Sequence, residues 1–261
     1  MIDHPGSRRT PGSTARPPED MRENADIATA SDGYARRFTG GVGLWFLATQ
    51  SRLTLELLQD LPAGSSILDV GGGHAQIAPA LIEAGYEVTV AGSDPVCAAR
   101  LGPWIAQGRC RFEAVDIGAL PYPDRSFDAV VCLRLLPHSV AWSSLIGELC
   151  RVARRSVVLD YPSVRSANVL SGLLFDLKRG IERNTREFKL FTPSQIKSAF
   201  ADRGFVVRKE RPQFLLPMVL HRWADQAALS KLAEAPWRLL GLTRWFGSPI
   251  LLRADRRVAG A

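Results

Sequence analysis

A glycine run and three acidic residues stand at positions suited to binding a small polar ligand. Asp69 comes two residues before the run Gly71-Gly72-Gly73, and Asp94 lies 21 residues after Gly73. Glycines permit positive φ and let a ligand approach the backbone closely. A carboxylate just before such a loop accepts hydrogen bonds from loop amides or from a ligand ammonium group. An acid about 20 residues further on has the spacing of one that binds a ribose diol.

The third acid, Asp116, also follows an apolar segment with the composition of a buried strand. A carboxylate there would accept a hydrogen bond from an exocyclic adenine amine, and the neighbouring Ile117 would pack on the ring. Any one of these acids alone could simply cap the next helix. Ligands of doubly wound sheets bind at the carboxyl ends of the strands, so three acids at successive strand ends are far more specific.

Strands and helices alternate in the sequence that carries these residues. Apolar segments predict strands at 66–70, 87–91, 111–115, 127–133, 156–159, 205–209 and 250–253. Helical patterns lie at 75–84, 97–107 and 142–152, and Thr192-Pro193 has the cap-then-proline signature of another helix start. This alternation predicts an α/β protein with a doubly wound, mostly parallel, seven-stranded sheet.

Composition divides the chain into seven segments around this core. They are a disordered tail (1–25), N-terminal cap helices (26–61), the α/β core (62–162), a lid insertion (163–191), a core continuation (192–212), a helical insertion (213–247), and a last strand with its tail (248–261). Within the cap, Gly40, Gly41 and Gly43 predict two short helices rather than one between Ser31 and Leu58.

Four segments together resemble the class I S-adenosylmethionine (SAM)-dependent methyltransferases. They are ILDVGGGHAQIA, VTVAGSDP, FEAVDIGALPYPDRSFDAVVCLRLLPHSV and SVVLDYP, and they extend from Ser66 to Pro162. The stretch LPYPDRSFDAVVCLRLLPH is the most specific and is similar to small-molecule methyltransferases of the quinone- and lipid-modifying type. One departure is Ala75, which stands where that family has the third glycine of its loop.

The resemblance implies SAM as cofactor and assigns its contacts. The backbone of Gly71, Gly72 and Gly73 would lie against its methionine part, and Asp69 would bind the ammonium group. The ribose would bind Asp94, and the adenine would bind Asp116 and Ile117. Leu133 and Arg134, after the fourth strand, would border the sulfonium. Tyr34 would close over the cofactor, since an aromatic face stabilises a cation.

The sequence offers few candidates for residues that catalyse methyl transfer. An oxygen acceptor would need a base, and His138 after the fourth strand is the candidate, with a structural role for this histidine as the alternative. Asp160 and Tyr161 end the fifth strand and would also face the pocket. A carbon acceptor activated as its own enolate would need no strong base.

Other features exclude several classes of protein and site. Cys97, Cys110, Cys132 and Cys150 show no C-x-x-C pairing, so neither a metal site nor a disulfide framework is expected. The net charge of +7 is concentrated late in the chain, without a nucleic-acid-binding motif beside it, so no nucleic-acid partner is expected. No obligate protein partner is predicted either. No apolar run reaches the length of a membrane span, and the expected location is the cytoplasm.

Two other functions remain open at the level of sequence. A nicotinamide-dependent oxidoreductase would need glycine where Gln76 stands. A non-catalytic scaffold with the same fold would usually have lost the glycines or the ribose acid.

The two insertions mix Trp, Leu and Phe with Arg and Lys, as helices at a lipid headgroup surface do. They predict an amphiphilic acceptor and peripheral contact with the inner face of a membrane. The alternative is that their apolar residues pack on the core.

Overall fold

The computed structural model of this 261-residue chain describes residues 24–166 and 188–257. Its strands are β1 (Ser66–Val70), β2 (Glu87–Gly92), β3 (Cys110–Ala114), β4 (Phe127–Cys132), β5 (Ala153–Tyr161), β6 (Phe205–Phe214) and β7 (Ser248–Arg256). They form one seven-stranded sheet in the order β3-β2-β1-β4-β5-β7-β6. β1 to β5 pair in parallel, and β7 runs antiparallel to both neighbours. The predicted doubly wound, mostly parallel sheet is confirmed.

The helices are α1 (Ala25–Ala30), α2 (Asp32–Ala35), α3 (Gly40–Leu58), α4 (Ala78–Glu83), α5 (Gly102–Ala106), α6 (Trp142–Val152), α7 (Pro193–Ala201), α8 (Met218–Ala224), α9 (Ala227–Leu239) and α10 (Leu242–Phe246). Short 3-10 helices lie at Arg36–Phe38, Gly72–His74, Pro95–Ala98 and Leu136–His138. α7 begins as predicted, because Thr192 forms a reciprocal capping box with Gln195 ahead of Pro193.

The cap region departs from the prediction of two short helices. The break falls at Thr39, whose backbone is extended, and the glycines that follow lie in the first turn of α3. That helix runs to Leu58, 19 residues in all, because no glycine or proline after its first turn interrupts it. The N-terminal tail before residue 24 and most of the lid insertion, residues 167–187, lie outside the described residues.

The sheet is buried on both faces. α6 and α7 cover one face with residues such as Leu149 and Phe200, and α3 and α4 cover the other with residues such as Leu57 and Leu81. All four cysteines are buried, and none forms a disulfide within the described part of the chain. Across residues 24–166 and 188–257, none of the helices combines the length and hydropathy that crossing a bilayer requires.

Candidate functional site

The loop after β1 is packed so tightly that no side chain would fit at two of its glycines. A Cβ atom on Gly72 would lie 1.9 Å from Asp69 Oδ2, and one on Gly73 would lie 2.5 Å from Cys97 Cβ. Ala75 ends the 3-10 turn with a φ of 53°, in the left-handed region that favours glycine. Ala75, which stands at the third glycine position of the family pattern, therefore has a backbone conformation that glycine adopts readily.

A cavity opens beside this loop at the carboxyl ends of β1 and β4. It has a volume of about 20 Å³. Six of the residues predicted to bind the cofactor line it: Tyr34, Asp69, Gly71, Gly72, Leu133 and Arg134. Gln76 also lines it, a residue that sequence reasoning considered only as a missing glycine. A cavity of this size has room for about one water molecule, so a nucleoside-sized ligand needs a neighbouring element to move.

Three polar atoms in this cavity lining are buried without a hydrogen-bond partner among the described residues: Asp69 Oδ2, Gln76 Nε2 and Arg134 Nη1. Burial raises the pKa of Asp69 to about 7. Buried polar groups are nearly always paired in folded proteins, so these atoms indicate a ligand site. A carboxylate acceptor beside an amide donor complements the ammonium and carboxylate groups of an amino acid. The residues present therefore fit the methionine part of SAM.

A second polar cluster lies where β4 and β5 end. Asp160 is buried and accepts hydrogen bonds from Gln50 Nε2 at 3.0 Å and from the backbone N–H of Arg134 at 2.6 Å. Arg134 has a φ of 60°, an uncommon conformation for a residue with a side chain. Its guanidinium Cζ lies 3.9 Å from the centroid of the Phe38 ring. Asp160 thus fixes the strained backbone that directs Arg134 into the cavity.

The acids predicted for the ribose and adenine make local hydrogen bonds instead. Asp94 caps the 3-10 helix after β2, accepting from Val96 N–H at 2.8 Å, and Asp116 accepts from Gly118 N–H at 2.9 Å. Ile117 is fully buried in the core. None of the three lines the cavity beside the glycine loop. Their predicted roles toward SAM stay predictions, and a carboxylate that caps a turn retains acceptor capacity for a second donor.

Helix α1 lies over the carboxyl ends of β1 and β2, which the sequence did not indicate. Asp26 is fully buried, and its carboxylate accepts from the backbone N–H of Ser93 at 2.6 Å and from the Ser93 hydroxyl. Ala25 packs in the same core cluster as Ile117. Since Ser93 adjoins Asp94, the acid predicted for the ribose, α1 occupies the space next to that acid.

The remaining candidates lie further from the cavity. The His138 ring centroid is 5.5 Å from that of Phe188, and the His138 backbone N–H donates to Leu135 O at 3.0 Å. Tyr161 is buried in the core, with its hydroxyl 3.5 Å from Glu210 Oε1. Neither residue lines the cavity. The catalytic role of His138 stays a prediction.

Comparison with known protein families finds one model, described as a methyltransferase domain, that matches residues 46–210. Two similar relatives are called demethylmenaquinone methyltransferase. The Thermus thermophilus protein is 29% identical over 71% of this chain and 92% of its own length. The Deinococcus radiodurans protein is 36% identical over 42% of this chain, which spans about half (48%) of that relative.

Solved structures show the same fold at low sequence identity. Magnesium protoporphyrin IX methyltransferase from Synechocystis PCC 6803, solved with bound S-adenosylhomocysteine (SAH), superposes with a TM-score of 0.63. It is 18% identical, and the match covers 89% of this chain and 98% of that one. A Burkholderia thailandensis N1-methyltransferase for 1,6-didemethyltoxoflavin has a TM-score of 0.55 at 14% identity, over 89% and 85% of the two chains.

Proposed function

Because the chain belongs to the methyltransferase-domain family of SAM-dependent enzymes, we propose that it methylates a small amphiphilic acceptor with a quinone-like ring at or near a membrane surface. The observation that carries the SAM-dependent part is the pair of unpartnered buried atoms, Asp69 Oδ2 and Gln76 Nε2, beside the glycine loop. The relatives named demethylmenaquinone methyltransferase support the quinone-like ring.

The chain's own contribution to the reaction is positioning. When bound, SAM would supply an electrophilic methyl group, which the acceptor attacks in line while S-adenosylhomocysteine leaves with the carbon–sulfur electron pair. Asp69 and Gln76 would hold the amino-acid end of SAM in the cavity that Leu133 and Arg134 also line. Helix α2, whose Tyr34 lines the cavity, would help to exclude water from the acceptor side. Placing two reactants in line, away from water, supplies much of the rate enhancement of a bimolecular step.

His138 is the proposed general base only for an acceptor whose hydroxyl is neutral. A true base contributes about 10²- to 10⁴-fold to the rate. A loss of that size in His138→Ala, with SAM affinity kept, would support this role. A change below about threefold would leave His138 as a structural residue that packs against Phe188.

The membrane part of the proposal rests on the outer face of α8, α9 and α10. Five large apolar side chains there have high exposed fractions: Trp223 (89%), Leu232 (70%), Leu239 (88%), Leu240 (70%) and Trp245 (68%). Exposed apolar residues at this density mark an interaction surface. Arg238 and Arg244 accompany them, and each basic residue near an anionic leaflet adds about 1 kcal/mol to binding.

Helix α9 buries two polar residues, Ser230 and Glu234, while Leu232 and Leu239 are exposed. Glu234 is buried and accepts from the backbone N–H groups of Leu215 and Leu216 at 3.0 and 2.9 Å, and His221 Nε2 lies 3.1 Å from it. The exposed apolar residues of α9 therefore do not attach this helix, which supports a membrane contact at this insertion. A lipid surface is the environment that such a face suits.

Liposome flotation tests the membrane contact. We expect the protein to float with anionic vesicles at low salt, and much less at high salt or with neutral vesicles, since the basic residues are screened. The double variant Trp223→Ser/Trp245→Ser should stay in the dense fraction. Ile105→Ser, an exposed apolar residue on α5 at the β3 side of the sheet, is the matched control and should float normally. Wild-type protein that never floats would refute the membrane contact.

The acceptor itself is identified by mass spectrometry of quinone and lipid extracts from cells with and without the gene. Loss of a methylated quinone-like compound, with gain of its form lighter by one methyl group, is the expected result. A shift confined to a polar, non-aromatic metabolite would refute the proposed acceptor class.

A further inference from the structure

Three arginines from separate parts of the chain converge on two aromatic rings beside the cofactor cavity. Arg134 lies 3.9 Å from the Phe38 ring centroid, Arg222 lies 5.8 Å from the same centroid, and Arg37 lies 5.4 Å from that of Tyr34. The Tyr34 and Phe38 centroids are 5.4 Å apart. The three guanidinium groups, which we call the arginine cluster, thus surround one aromatic pair.

The arginine cluster has a positive charge that the described residues around it do not neutralise. None of the ion pairs found in residues 24–166 and 188–257 includes Arg37, Arg134 or Arg222. The charge on Asp160 also interacts with Arg134, but burial raises the pKa of Asp160. Burial, and after it the charge of Arg37, lowers the pKa of Arg222. Like charges held together in a partly dry site favour an anionic ligand.

One donor of the cluster is positioned for such a ligand. Arg134 Nη1 has no exposed surface and no hydrogen-bond partner among the described residues, and its side chain lines the cofactor cavity. A guanidinium that stacks on an aromatic face still presents its N–H donors in the ring plane. An anion at this position would lie between the aromatic pair and the end of β4, where the methyl group is delivered.

We propose that the arginine cluster binds the acceptor as an anion, the deprotonated oxygen of a hydroxylated quinone-like ring, and that the cluster selects such rings over neutral ones. This inference rests on the proposed function and deepens it. The ring anion's electron pair forms the new bond to the methyl carbon, and the carbon–sulfur bond breaks with its pair left on sulfur. The negative charge of the acceptor and the positive charge of the sulfonium cancel. No base has to remove a proton before transfer.

The location of Arg222 connects the cluster to the apolar face of α8. Arg222 precedes Trp223, which is 89% exposed. An amphiphilic acceptor whose tail stays at a lipid surface would reach the cluster with its polar ring first. The cluster therefore lies between the proposed membrane contact and the cofactor cavity.

The test compares two rings of matched shape, 2-hydroxy-1,4-naphthoquinone, which is an anion at neutral pH, and neutral 1,4-naphthoquinone. Their affinities are measured by calorimetry in the presence of SAH, so that no turnover occurs. We expect the wild type to bind the anionic ring at least about tenfold more tightly. Arg134→Met and Arg222→Met should each lower this preference to about threefold or less, and Arg222→Lys should keep part of it. Arg36→Met, an exposed neighbour outside the cluster, is the control and should keep the full preference.

The outcomes separate this inference from the function beneath it. Equal affinity of the wild type for both rings, or full preference in both methionine variants, overturns the inference and leaves quinone methylation standing. Weaker SAM binding in Arg134→Met with the ring preference intact also overturns it, because Arg134 then serves the cofactor's carboxylate. If neither ring binds and a non-aromatic acceptor is methylated, both the inference and the proposed acceptor class fail.

Discussion

At the scale of single residues, Asp69 connects cofactor binding to pH. Burial raises the pKa of its carboxyl to about 7 in the cofactor-free protein, so the folded state keeps a proton that the unfolded chain releases near pH 4. The free energy of unfolding therefore falls as pH rises from about 4 to about 7. The ammonium of SAM needs the ionised carboxylate, so binding is favoured above this range.

We predict that the dissociation constant for SAM is about five- to tenfold higher at pH 6 than at pH 7.5, because about a tenth of Asp69 is ionised at the lower pH. Calorimetry at both pH values checks this. Asp69→Asn should bind more weakly at both and lose the pH dependence, which also controls for titration of the ligand's own amine. An unchanged pH dependence in this variant would assign the effect to another group.

Helix capping and ribose binding by Asp94 can be tested separately, because asparagine caps a helix as well as aspartate does. In the structure the carboxylate caps the 3-10 helix after β2. We predict that Asp94→Asn leaves the melting temperature nearly unchanged but weakens SAM binding about tenfold, the factor that follows from losing about 1.4 kcal/mol in bonds from the ribose hydroxyls to a charged acceptor. Asp94→Ala should lower both stability and affinity. SAM affinity that survives in Asp94→Asn would leave this acid as a cap alone.

At the scale of elements, α1 controls the access of the adenosyl part of a cofactor to the site beside the glycine loop. Its Asp26 binds both donors of Ser93, and the cavity that remains is about 20 Å³. A ligand that binds only the open form has its affinity reduced by the fraction of open protein. Loosening α1 therefore increases that fraction and strengthens SAM binding.

We predict that Asp26→Ala binds SAM up to about tenfold more tightly, since it removes hydrogen bonds to a charged group worth about 1.5 kcal/mol or more. Asp32→Ala is the control. Asp32 lies on the neighbouring helix α2 and pairs with Arg100, and its loss should change the affinity less. Amide exchange of α1 should speed up when SAM is added. Weaker SAM binding in Asp26→Ala would instead make α1 part of the cofactor site.

The elements also show what the sequence was able to predict. The strands of the core were predicted within a few residues, because buried parallel strands are continuous apolar runs bounded by turns. The exposure of Trp223 and Leu239 was not predictable, because composition does not say which face of a helix is buried. That face follows from Glu234 and its hydrogen bonds to Leu215 and Leu216, which form only in the folded chain.

At the scale of the whole molecule, the site combines residues from distant parts of the chain. The glycine loop and Asp69 were predicted because one turn carries them. Asp26 and Gln50 were missed, since their partners Ser93 and Asp160 lie 67 and 110 residues away and no local pattern marks such pairs. Local sequence therefore predicted the cofactor loop, while the cap and the arginine cluster emerged only from the tertiary structure.

The central claim is that this protein transfers a methyl group from SAM to a quinone-like ring. The most direct measurement incubates the purified protein and anionic vesicles with methyl-labelled SAM and a reduced quinone extract, and then counts label in the quinone fraction. We predict label in that fraction with the wild type, and a loss of at least about tenfold with Asp69→Asn, which lacks the charge that holds the ammonium group. Micromolar binding of NADH together with no SAM binding and no transfer of label would contradict the account.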